Sequence, residues 1–168
     1  YYPYSGDERL IPIVEGMLDR LWDYRATETY DWGGVPYASA HPGTGNYHGA
    51  RADGEFATEP DKVAQVARAS IDFYQVTGQE KYLEWARFWA TVLDSKLIDG
   101  DSDHSPLPFR VSVRDGSIIE AYTAHMIPLV RLFDALIMLG DGQYRNSRDR
   151  VWKWIEEFPL RNQLWKGH

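Results

Sequence analysis

The chain has no cysteine, which removes a disulfide framework, a thiolate zinc site and a cysteine nucleophile together. It also has no apolar run long enough to cross a bilayer as a helix, so no membrane is expected as a partner. Basic residues are scarce, 18 against 25 acidic, giving a formal net charge of -7 with no stripe of Lys and Arg. Nucleic acid is excluded as an expected partner, because displacing its counterions takes clustered positive charge. Familiar signatures are missing as well: no glycine-rich phosphate loop, no serine elbow and no His-Glu-x-x-His motif. Gly43-Thr44-Gly45 is not followed by a Lys-Ser/Thr helix start and reads as a turn. Asp101, Asp103 and His104 lack the spacing and terminal Glu of a calcium loop, so turn and capping roles are expected there. Neither a metal nor a cofactor is expected. Zero cysteine suits a cytosolic or an exported protein, with export favoured.

Aromatic residues are what the chain has in quantity: 14%, with seven Trp and eleven Tyr. Rings in such number either fill a core or line a groove, where their faces stack on apolar sugar surfaces.

Periodicity predicts helices separated by one long irregular segment. Leu10, Val14, Met17, Leu18 and Leu21 recur at helical spacing from about residue 7 to 24, with Asp7 as N-cap and Pro12 in the first turn. A second helix is predicted over 60–77, with Thr58 or Glu59 as cap, Pro60 and Asp61 in the first turn, and Gly78 as C′ residue. A third, over 79–97, is apolar on most sides and should be packed on more than one face. Residues 99–116 read as a loop with a short hairpin around 109–116. A long helix is expected over 119–139, kinked at Pro128 or starting nearer His125, and a last one over 143–158.

The pairs Asp72 and Asp134, Gly78 and Gly140, and Tyr82 and Tyr144 share one spacing, so the chain repeats itself internally. In each copy a helix ends in Gly, a short polar turn follows, and a Tyr opens the next helix. Such hairpins stack so that each buries its neighbour's apolar side.

These hairpins, the Thr77-Gly78-Gln79-Glu80-Lys81-Tyr82-Leu83 turn and the Pro108-Phe109-Arg110 segment resemble the six-hairpin glycosidase superfamily over residues 60–160. The resemblance implies an all-α fold, antiparallel helical hairpins forming part of an (α/α) toroid. Residues 1–168 would be a partial toroid domain, a fragment whose remaining hairpins lie elsewhere in a longer parent chain. The missing initiator Met at Tyr1 and the abrupt end at His168 carry the same expectation. Members of the superfamily include unsaturated glucuronyl hydrolases, polysaccharide lyases and sugar epimerases. No catalytic signature of any one of them matches here, so no catalytic residue is carried over.

The segment 30–59 is the first site candidate, since a loop this long and this aromatic is expected to be ordered and functional. Asp53 and Glu55 are the candidate catalytic pair, because hydrolysis of a glycosidic bond needs an acid and a base or nucleophile. Glu59 and Asp61 read as helix capping. Trp32, Tyr37, Tyr47, His48 and Arg51 are candidate substrate contacts. The second candidate lies around Arg110, Tyr122 and His125, where a Tyr or His base and an Arg would serve a lyase. A glycoside hydrolase acting on an oligo- or polysaccharide is therefore expected, with a lyase or sugar epimerase as one alternative. The other is a non-catalytic helical scaffold that binds another protein, for which the long aromatic loop has no use.

Overall fold

The computed structural model describes residues 5–40, 44–45, 47–49 and 54–161. Among these the fold is mostly helical, with five α-helices and a small antiparallel sheet. In chain order they are α1 (Leu10–Asp23), β1 (Ala57–Thr58), α2 (Pro60–Thr77), α3 (Glu80–Ser95), β2 (Pro108–Ser112), β3 (Ile118–Thr123), α4 (Ile127–Met138) and α5 (Arg145–Ile155). A 3-10 turn, Gly142–Tyr144, leads into α5, and a π-helical segment, Glu156–Leu160, follows it.

The two hairpins form where the internal repeat places them. Pro60 opens α2, and Gly78 closes it in the left-handed region at φ 70. Gln79 then starts α3, so the chain reverses within two residues. Gly140, at φ 104, occupies the matching position between α4 and α5. Both repeat tyrosines are buried and their hydroxyls are satisfied. Tyr82 donates to Asp19 of α1 at 2.8 Å, and Tyr144 shares a hydrogen bond with Thr91 of α3 at 3.0 Å. Burial and the Asp19 carboxylate push the Tyr82 hydroxyl up to about 12.

The hairpins pack through their first helices, α2 against α4, with α3 and α5 each against its own partner. Helix α3 buries Tyr82, Leu83, Ala86, Trp89, Ala90 and Leu93 and is half-covered on Trp85, Phe88 and Val92, as its all-round apolarity predicts. Trp89 donates its indole N–H to the Gly34 carbonyl at 2.9 Å, and Trp22 of α1 stacks on Trp85 at 4.7 Å. These contacts tie α1 and the segment after it to the first hairpin.

The all-α expectation is corrected between residues 57 and 123. Strands β1, β2 and β3 form one sheet in that order, with Ala57 opposite Ser112 and Arg110 opposite Glu120. The predicted helix over 119–139 begins only at Ile127, and residues 118–123 are strand. The β-branched and aromatic side chains of Ile118, Ile119, Tyr122 and Thr123 favour that state. Pro128 sits in the first turn of α4, where its missing N–H costs nothing, so it starts this helix instead of kinking it. The first helix is also shorter than predicted. Asp7 does not cap it: its carboxylate accepts the Arg9 N–H at 3.1 Å, one turn ahead of α1.

Candidate functional site

Where the sheet meets the N-terminus of α2, three strands and a helix deliver charged side chains to one place. Pairing of β2 with β3 sets Arg110 opposite Glu120, and the guanidinium Nη1 donates to Glu120 at 2.8 Å. Pairing of β1 with β2 brings in Glu59, the residue between β1 and α2. Arg110 Nε and Nη2 both donate to its Oε1, at 2.8 and 2.5 Å. Lys62, one turn into α2, closes on the other oxygen of Glu59 at 2.6 Å. Glu59 is only 2% exposed, and its charge is held by the largely buried Arg110 and by the exposed Lys62. Glu59 does hold the N-cap position of α2, but its carboxylate is engaged by Arg110 and Lys62 and makes no capping bond. Thr58 does not cap the helix either: its hydroxyl donates to the Pro36 carbonyl at 2.8 Å and pins the preceding segment.

Asp61 lies beside this cluster in the first turn of α2. One of its carboxylate oxygens is buried with no hydrogen-bond partner among the described residues. Burial raises its proton affinity above the usual aspartate value, and the neighbouring Glu59 adds to the effect. The Lys62 backbone N–H, the Lys62 charge and His125 act the other way without cancelling it. The site therefore holds a carboxyl group that keeps its proton to higher pH, next to a carboxylate enclosed by cations.

Three hollows open among the described residues, one of them against Glu59 and Lys62, and Asp61 lines none of the three. A small one of about 140 Å³ runs between Tyr37, Glu59, Lys62 and the apolar side of α2. A cleft of about 340 Å³ between α2 and the start of α4 is lined by Gln65, Arg68, Asp72, His125 and Arg131. An apolar groove of about 320 Å³ lies along α1, with Met17, Arg20, Tyr24, Tyr37 and Tyr47 on its walls.

The sequence-predicted residues distribute among these features. Tyr37 and Tyr47 face the same groove. The Tyr47 ring stacks on Tyr24 at 3.6 Å, and its hydroxyl accepts from Arg20 at 3.1 Å. His48 stands edge-on to Tyr37 at 5.6 Å and stacks on Phe56 at 5.5 Å. Phe56, with φ 61, is the one non-glycine in the left-handed region among the described residues. The Arg114 guanidinium covers its ring at 3.4 Å. Trp32 does not join them: it is 3% exposed, in the core, with its backbone N–H bonded to the Val113 carbonyl. Glu55 is exposed in the turn before β1 and lines none of the three hollows. Asp53 and Arg51 lie outside the described residues. Tyr122 is exposed on β3, edge-on to Phe109 at 5.9 Å, and His125 lies on the rim of the cleft. The turn role expected of Asp101 holds, since its carboxylate accepts the Asp103 and His104 N–H groups at 2.7 and 2.8 Å.

Glu59, Asp61 and Lys62 escaped the sequence reading because helix capping accounted for the two carboxylates. One signal was available: Glu is a poor N-cap beside Ser, Thr, Asp or Asn. No group of three or more potential metal ligands occurs among the described residues, and no described helix is long and apolar enough to cross a membrane. Compared with family models, curated proteins and solved structures, the chain matches none of them.

Proposed function

We propose that the chain is a carbohydrate-active enzyme domain, a glycoside hydrolase acting on an oligo- or polysaccharide, with hairpins that belong to an (α/α) toroid. Side-by-side packing of the first helices of two successive hairpins, α2 on α4, supports the toroid. The observation that carries the activity is Asp61, a carboxyl group with raised proton affinity and an unpartnered oxygen. Cleaving a glycosidic bond requires a protonated acid for the leaving oxygen and a second carboxylate for water or for the sugar carbon. Asp61 fills the first role. Asp53 or Glu55, on the stretch that enters β1, fills the second. Tyr37 and Tyr47 offer faces to a sugar ring, with His48 behind them.

A lyase would need Arg110 to neutralise a carboxylate on its substrate, and Glu59 and Glu120 already engage that guanidinium. Arg110 is better suited to holding Glu59 in place beside Asp61. A protein-binding scaffold has no use for a buried carboxyl oxygen left without a partner at a helix start.

The test is release of reducing ends from a panel of oligosaccharides by the full-length protein. Asp61→Asn is expected to lower turnover about 10²-fold or more, and so is Asp53→Asn or Glu55→Gln. Undiminished turnover in Asp61→Asn, or no release from any member of the panel, overturns the assignment.

A further inference from the structure

The cleft between α2 and α4 has a charge that the rest of the chain does not. The protein carries a formal net charge of -7, yet this hollow of about 340 Å³ is lined by Arg68, Arg131 and the ring of His125 against a single carboxylate, Asp72. Asp72 is already spoken for, since it pairs with Arg68 one turn away on the same helix. Arg131 makes no hydrogen bond or ion pair with any described residue, and it stands one turn after Ile127 at the start of α4. A positive excess is thus held in a concave surface. The Gln65 side-chain amide, which can donate, stands on the opposite wall.

His125 connects this cleft to the carboxyl cluster, because it lines the hollow and acts electrostatically on Asp61. Arg110 is enclosed by two glutamates and Arg68 pairs with Asp72, so the cation left to face a ligand in the hollow is Arg131. From this arrangement we infer that the cleft takes the oxyanion of an acidic sugar, a carboxylate or sulfate held in the fork of Arg131 with His125 and Gln65 beside it. A planar guanidinium offers paired N–H groups to such an oxyanion. The inference names the substrate class of the hydrolase proposed above and rests on its carbohydrate character.

Direct binding tests it without requiring turnover. Glucuronate, glucose 6-sulfate, glucose and inorganic sulfate are titrated separately into the full-length protein by calorimetry at low salt. One or both acidic sugars should bind about tenfold or more tightly than glucose and than sulfate alone. Which of the two binds tells carboxylate from sulfate. Arg131→Ala should abolish that preference while Arg131→Lys keeps part of it, and both exposed substitutions should leave the thermal midpoint unchanged. Equal binding of glucose and the acidic sugars overturns the inference, as does an unchanged preference in Arg131→Ala. So does sulfate binding as tightly as the sugars, which would mark an adventitious ion only. Asp61→Asn should bind acidic sugar as the parent does. Acidic-sugar binding by the unsubstituted protein with no turnover of any oligosaccharide would sink the hydrolase and leave the acidic-sugar cleft standing.

Discussion

Two carboxyl groups, Glu59 and Asp61, sit two residues apart at the start of α2 and meet opposite fates. Glu59 is enclosed by Arg110 and Lys62, so removing its charge leaves a largely buried guanidinium short of a partner. Glu59→Gln is expected to cost about 3 kcal/mol in a denaturant titration, and Glu59→Leu combined with Arg110→Met should recover much of it. Asp61 is strained in the other direction. Its raised proton affinity means that the folded state binds a proton more tightly than the unfolded chain does. Stability is therefore present at low pH and declines as pH rises from the ordinary aspartate range through the raised value. Asp61→Asn removes that decline. Its thermal midpoint at neutral pH should exceed the parent's, with the difference vanishing near pH 3. A gain in stability together with a loss of turnover in Asp61→Asn would mark Asp61 as a functional group and not a structural one.

Among the elements, the hairpin turns depend on one backbone conformation. Gly78 and Gly140 have positive φ, and a Cβ at either position would meet nothing within 4 Å. The penalty for a side chain is thus purely conformational. Gly78→Ala and Gly140→Ala should each lose about 1 kcal/mol by chemical denaturation, and Gly→Asn less, since Asn tolerates the left-handed region. Equal losses at the two sites would mark the turns as equivalent members of a repeat. The sheet was legible only in part: the hairpin expected around 109–116 is β2 with its turn into β3, whereas β1 and the strand at 118–123 were not expected. Strands of two, five and six residues are too short to signal on their own. The two-residue β1 pairs with β2 where the Val113 N–H bonds to the Phe56 carbonyl, the Ala38 N–H bonds to the Ala57 carbonyl and Arg110 reaches Glu59.

Over the described residues, one concave apolar surface follows α1. Ile13 and Met17 are 58% and 63% exposed, and with Tyr24 they wall the groove that Tyr37 and Tyr47 complete. Apolar concavities of this kind bind hydrophobic dyes and promote association. The protein is expected to enhance the fluorescence of such a dye. Met17→Glu, at a position where the side chain already faces solvent, should reduce the signal without changing helix content by circular dichroism. If the dye signal survives Met17→Glu and Ile13→Glu together, the exposed apolar surface lies elsewhere.

The sequence by itself determined the two hairpins, their turns and the packing of α3 on more than one face, though not where α4 begins. These follow from local rules: a 3.6-residue period, proline at helix starts and glycine where φ must be positive. It also placed Tyr37, Tyr47 and His48 in one segment, and the structure lines one groove with Tyr37 and Tyr47 and sets His48 edge-on to Tyr37. Only the tertiary structure decided the rest. Glu59 and Arg110 lie far apart in the chain, and no local pattern says that a residue beside a helix start will be buried against a strand. Trp32 and Tyr37 look alike as aromatic loop residues, yet the backbone bond from Trp32 to Val113 turns one ring into the core and leaves the other at the groove. Asp61 passed for a capping residue because its raised proton affinity comes from burial, and burial is a property of what packs around a residue, not of its neighbours along the chain.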